Sequence, residues 1–208
     1  MNAIAASTVA PDWSNLPLFP LGTVLFPGGV LPLRVFEARY VDMTRECMKT
    51  GQPFGVCLIK EGAEVGAPAI PHEVGCLAEI GEWDMQQLGV LQIRTRGTRR
   101  FRIASTRTAA NGLIRAVAHA LADDAPRAVR AELASCAILL KSLLPQLPEN
   151  MIVGPHLFED AGWLSNRLAE LLPIPPLAKQ KLMELADADA RLEVIHQFLE
   201  QQGLQQAR

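Results

Sequence analysis

Residues 16–40, "LPLFPLGTVLFPGGVLPLRVFEARY", combine a long uncharged run with closely spaced prolines and glycines. The first eighteen of them are uncharged, as in a membrane span or a secretion signal. The prolines and glycines argue against both. Pro17, Pro20, Pro27 and Pro32, with Gly22, Gly28 and Gly29, would break any helix, and lipid cannot satisfy the backbone groups so freed. The preceding "MNAIAASTVAPDW" has no lysine or arginine, so the basic start of a signal peptide is missing too. What remains is a pair of short extended pieces, "PLFPLG" and "GGVLPL", closed by turn residues. "FEARYVDMTRECMKTG" then changes period: Phe36, Tyr40, Met43 and Cys47 share one helical face, and Gly51 supplies a C-terminal cap.

Strand signals continue outward from this segment. "PFGVCLI" reads as a buried strand. "VGCLAEIGEW" and "LGVLQIRTRG" read as a long hairpin turning at Asp84–Gln87. In its second arm Leu91, Ile93 and Thr95 share one face, and Gln92, Arg94 and Arg96 the other. "RRFRIAS" and "GLIRAVAHAL" extend the alternation, with turn signals at Gly97 and Asn111-Gly112. Many short strands with one inserted helix suggest a partly closed barrel, because closure removes exposed edges. An open sandwich is the main rival.

The texture changes near residue 122. Asp123 or Asp124 and Pro126 suit a helix start, followed at helical spacing by Val129, Leu133, Cys136, Leu140 and Leu143. Leu164 and Leu168 with Leu171, then Leu182 with Leu185, then Leu192, Ile195 and Leu199, mark three more helices between Pro-rich turns. The expected organisation is α+β: a loose tail over residues 1–12, a β-rich part over 13–121, and a helical bundle over 122–208.

With 208 residues and a net charge of −2, the chain can bury a sizeable core and has no global attraction to nucleic acid or anionic membrane. Cys47, Cys57, Cys76 and Cys136 form no close pair, and His72, His119, His156 and His196 are equally scattered. No metal site or cofactor is therefore expected, and the free thiols suit a reducing cytoplasm.

"FPLGTVLFPGGVLPLRVFEARY", then "FGVCLI", "VGCLAEI", "RGTRRFRI" and "LPIPPLAKQKLMELADADARLEVIHQFLEQ", resemble the N-terminal substrate-binding domain of Lon proteases along nearly the whole chain. The resemblance implies a PUA-like pseudo-barrel followed by a helical bundle, and recognition of unfolded or tagged protein. No GxxxxGK[ST] loop is present, and none of the five lysines directly follows a glycine. A stand-alone recognition protein without ATPase or Ser-Lys protease parts is expected, acting as an adaptor or decoy in quality control. Its expected partners are polypeptide segments and a separate protease or chaperone, with no membrane.

Candidate site residues come from charge segregation. Between Met85 and Ala122 there is no acidic residue but seven arginines: Arg94, Arg96, Arg99, Arg100, Arg102, Arg107 and Arg115. Glu61, Glu64, Glu73, Glu79, Glu82 and Asp84 precede them, so hairpin pairing could place acids opposite bases. The sharper reading gives Arg94, Arg96, Arg99, Arg100 and Arg102, beside Trp83, a surface for acidic peptide, with RNA as the alternative ligand. Trp13 and Trp163 are further contact candidates. No serine stands in a GxSxG setting, and no catalytic constellation is expected.

Overall fold

The uncharged opening forms strands. In the computed structural model, which describes residues 12–87 and 89–203, β1 (Trp13–Leu21) and β2 (Val30–Val35) flank the loop "GTVLFPGG", and α1 (Ala38–Thr50) follows. Gly51, at φ 68°, donates its N–H to the Cys47 carbonyl at 2.8 Å and ends the helix as expected. Tyr40, Met43 and Cys47 face the core, but Phe36 does not. It precedes the helix, whose N-cap is Glu37, and is 55 % exposed. Of the expected tail, residues 1–11 lie outside the described residues. The Asp12 carboxylate accepts the Ala120 N–H at 2.8 Å.

β3 (Phe54–Glu61), β4 (Ile70–Gln87), β5 (Val90–Thr108) and β6 (Ile114–Ala120) complete the sheet. Two turn assignments need correction. Gln87 pairs with Val90, so the hairpin reverses between them, with Gly89 at φ 83°, and Asp84–Gln87 lengthen the strand instead. Gly97 is no turn either. It lies within β5, where its carbonyl accepts the Gly28 N–H at 2.7 Å and its own N–H reaches the Gly29 carbonyl at 2.8 Å. A Cβ at residue 97 would lie 2.2 Å from the Phe26 carbonyl oxygen, so the glycine admits the "FPGG" loop onto the strand. The loop is held from the other side by Arg167, which donates to the Pro27 carbonyl at 2.7 Å.

Strand order is β2-β5-β4-β3-β1-β6, and β5 pairs again with β6, so five of the strands close a ring. β1 and β3 are parallel, which requires a crossover, and β2 with α1 provides it. Alternation then sorts side chains into two layers. Leu16, Leu18, Cys57, Leu77, Phe101, Ile114, Ala116 and Ala118 fill the ring, one or more from each of its strands. Phe101 is fully buried among them, a burial worth about 1.5–3 kcal/mol. Its ring fits because Gly55 and Gly75 have no side chain: a Cβ there would stand 2.6 and 2.7 Å from Phe101 Cζ. Phe19, Leu21, Phe54, Val56 and Cys76 face outward into the larger cluster.

That cluster continues into the helices, through Leu164, Leu168, Leu192 and Ile195, so sheet and helices share it. The helical part starts later than its sequence suggests. A 3-10 turn at Ala131–Leu133 leads into α2 (Ala134–Leu143), and Asp123 and Asp124 cap nothing. Asp124 serves instead as a partly buried anchor. Its carboxylate takes Arg100 Nη2 of β5 at 3.1 Å and the Nη2 of Arg191, while Arg100 also donates to the Met183, Leu185 and Ala122 carbonyls. Asp160 caps α3 (Ala161–Leu171) by accepting the Trp163 N–H at 2.7 Å. α4 (Pro176–Glu184) follows, and Asp187 caps α5 (Ala188–Gln201). No helix among the described residues is long and apolar enough to cross a membrane.

Candidate functional site

The arginine-rich strand does not present one surface. Its partners separate the residues that the sequence groups together. Glu79 lies opposite Arg96 and Glu82 opposite Arg94, the cross-strand arrangement of acids and bases that hairpin pairing allows. Arg94 also donates to the Asn150 carbonyl. Arg99 pairs with Asp123 at 3.3 Å and Arg115 with Glu46 at 2.7 Å. Arg100 is only 5 % exposed and has four acceptors, so it is a strut between β5 and the helices and is removed from the candidate surface. Trp83 is 59 % exposed near the hairpin tip, opposite Ile93. Trp13 packs against the ring interior, and Trp163 against Phe158 at 5.4 Å between ring centres.

Arg102 sits elsewhere, at a split in the ring. The pairing of β4 with β5 ends at Val74 and Arg102. Beyond that point Ile70 and Pro71 stay with β3, while residues 103–108 stay with β6. The two strands diverge around a cleft of about 620 Å³, lined by Lys60, Ile70, His72, Glu73, Arg102, Ser105, Thr106, Lys181 and Glu184. At the fork Gln180 of α4, fully buried, donates Nε2 to the Val74 carbonyl at 3.0 Å and to Glu184 at 3.0 Å. Arg102 reaches Glu73 at 3.6 Å, and Lys181 reaches Glu184 at 2.8 Å. The Lys181 and Gln180 hydrogen bonds hold the Glu184 carboxyl below the usual range, against a desolvation that raises it.

Lys181 and Glu184 also rim a second depression on the other side of α4. This groove of about 550 Å³ is walled by Leu172, Ile174, Leu182, Leu185, Val194 and Phe198, from α4, α5 and the connections before and between them. α4 is thus a ridge with a polar cleft on one flank and an apolar groove on the other. Nothing in the sequence pattern points to either. The cleft arises where two long strands part, and the groove where two amphipathic helices leave a gap.

The side chains offer little covalent chemistry. All four cysteines are buried and free. Burial pushes the thiols of Cys47 and Cys136 up to about 11, and those of Cys57 and Cys76 higher still, far from the thiolate a nucleophile needs. Among the described carboxyls Glu170 is the one displaced toward neutrality. Burial raises its pKa to about 7, opposed by the charges of Arg167 and Lys179 and by a hydrogen bond from the Phe26 backbone. It pairs with Arg167 at 3.1 Å behind the "FPGG" loop, which is a structural position.

Residues 15–201 match the family model described as the ATP-dependent protease La (LON) substrate-binding domain. The Lon protease of Methylocella silvestris is 27 % identical over 206 residues, covering 96 % of this chain and 25 % of that protein. Protein cereblon of Danio rerio is 31 % identical over 103 residues, covering 48 % of this chain and 23 % of that protein. The chain therefore spans about a quarter of the length of these curated relatives. Among solved structures, a Lon N-terminal domain protein from Xanthomonas campestris is similar at 38 % identity and a TM-score of 0.75, over 88 % of this chain and 97 % of that one. The N-terminal domain of Mycobacterium avium complex Lon protease is similar in fold, at 18 % identity and a TM-score of 0.61 over 88 % of this chain and 96 % of that one.

Proposed function

This chain belongs to the Lon substrate-binding domain family, and from that premise we propose that it is a non-catalytic module that holds polypeptide segments. The matched region corresponds to the substrate-binding part of Lon and not to its ATPase or protease parts. In this reading the chain recognises unfolded or tagged protein in the cytoplasm and hands it to a separate protease or chaperone. The closed ring supports a PUA-like pseudo-barrel over residues 13–121, and the helices from Ala131 on supply the expected bundle.

The observation that carries the reading is the α4 ridge, with apolar and hydrogen-bonding surfaces side by side. A polypeptide offers the same mixture, apolar side chains on a polar backbone. RNA would need exposed cations and aromatics together. Arg100 is withdrawn into the interior, and Arg99, Arg102 and Arg115 already have acidic partners. The test is fluorescence anisotropy of fluorescein-labelled casein, an unstructured polypeptide, titrated with the protein after nuclease treatment. Saturable binding, with casein intact on a denaturing gel, supports the proposal. Absence of binding, or cleavage of casein, overturns it.

A further inference from the structure

We propose that the split between β4 and β5 is a strand-addition site, which takes an extended acidic segment of polypeptide as an extra strand on the edge of β5. This inference rests on the polypeptide-binding reading and adds the place, the mode and the side-chain preference.

The geometry is specific to this end of the ring. β5 carries β2 and then β6 along one side, and β4 along the other only as far as Arg102. From Ile103 to Thr106 the β4 side of the strand has no neighbouring strand among the described residues. Ala104, Ser105 and Thr106 are all exposed. An open edge repeats donors and acceptors every second residue, and another extended backbone is the ligand that matches this period. Proteins blunt such edges unless they use them. Here α4 covers the fork through Gln180 but leaves the rest as an open cleft. Of the two rims β5 is the better template, because Pro71 on the β4 rim has no N–H to donate.

Charge sets the preference. The charged groups lining the cleft are Lys60, Arg102 and Lys181 against Glu73 and Glu184. Glu73 is engaged by Arg102, and Glu184 by Lys181 and Gln180. Lys60 is exposed and has no ion-pair partner among the described residues, so the unmatched charge in the cleft is positive. An incoming strand with a carboxylate on its Lys60 side completes the set. Ile70, 53 % exposed on the rim, offers a contact for a β-branched neighbour of that carboxylate.

The probes are two capped peptides, one alternating valine with aspartate and one alternating valine with lysine. The Val-Asp peptide is expected to bind and to slow amide hydrogen exchange at residues 103–106, and the Val-Lys peptide to bind several-fold more weakly. Ala104 is the unopposed residue between the Ile103–Ala118 and Ser105–Val117 pairs, a bulge that can accept proline. Ala104→Pro should weaken the Val-Asp peptide by about tenfold, the worth of one backbone hydrogen bond near the top of its range. Should that variant lose its circular-dichroism signature of folding, Lys60→Glu, at an exposed side chain, decides with the exchange data. It should weaken Val-Asp binding and strengthen Val-Lys binding. Binding of the Val-Asp peptide with unchanged exchange at 103–106 overturns the strand-addition site while the polypeptide reading stands. Folded protein that binds neither peptide nor casein removes both.

Discussion

Replacing Asp124 by alanine should loosen the helices from the strands. Its carboxylate is shared by Arg100, 5 % exposed, and Arg191, fully buried. Burial already lowers the pKa of Arg191, and Asp124 is the opposing influence that keeps it charged. Without the carboxylate Arg100 keeps three carbonyls, whereas Arg191 keeps Ser165 Oγ at 2.9 Å and the Leu185 carbonyl at 3.1 Å, neither of them charged. Removing one partner of a buried pair costs about 3–5 kcal/mol, because a charge is left without compensation. For a chain of this size that is a fall of roughly 6–20 °C in melting temperature. Urea unfolding followed by tryptophan fluorescence measures it. Arg99→Ala is the control: its pair with Asp123 is 44 % and 68 % exposed, and its loss should cost no more than about 1 kcal/mol. An Asp124→Ala protein as stable as the Arg99→Ala protein would show that this carboxylate does not hold the two arginines in place.

Other consequences follow from single groups. Gly55→Ala should cost about 1–3 kcal/mol by overpacking against Phe101 and Leu18, and less in a Phe101→Leu background, a coupling that a double-mutant cycle reads directly. Glu170 holds its proton more tightly folded than unfolded, so its contribution to stability is full below about 4.5 and is lost as pH rises toward about 7. Glu170→Gln should therefore flatten the fall in urea midpoint across that window, and an unchanged slope would show that another group titrates there. Val194, 49 % exposed in the apolar groove, can be changed with little effect on folding. Val194→Glu should weaken casein binding several-fold at an unchanged melting temperature, and equal affinity would take the groove out of the binding surface.

Much of the strand architecture was legible because its signals are local. Proline and glycine spacing in "LPLFPLGTVLFPGGVLPL" marks β1, the loop and β2, and the alternation Leu91, Ile93, Thr95 names the buried face of β5. The misreadings share a cause, which is that distant partners override local meaning. Gly97 looks like a turn, yet it is required by the approach of Phe26 from seventy residues earlier in the chain, roughly. Asp124 looks like a helix cap but is drawn away by Arg100 and Arg191. The arginine cluster behaves likewise: equal spacing in sequence does not say that Arg100 points inward at a helix end while Arg102 faces a cleft. The cleft itself had no sequence signature, because it is defined by where pairing between two strands stops.

Competition for bound polypeptide separates a peptide-holding module from an RNA-binding one. Fluorescein-labelled casein saturated with the protein should be displaced by an unlabelled unfolded polypeptide and left in place by single-stranded RNA at equal mass. Casein that never binds, or that RNA displaces as readily as polypeptide does, would contradict the polypeptide-binding reading.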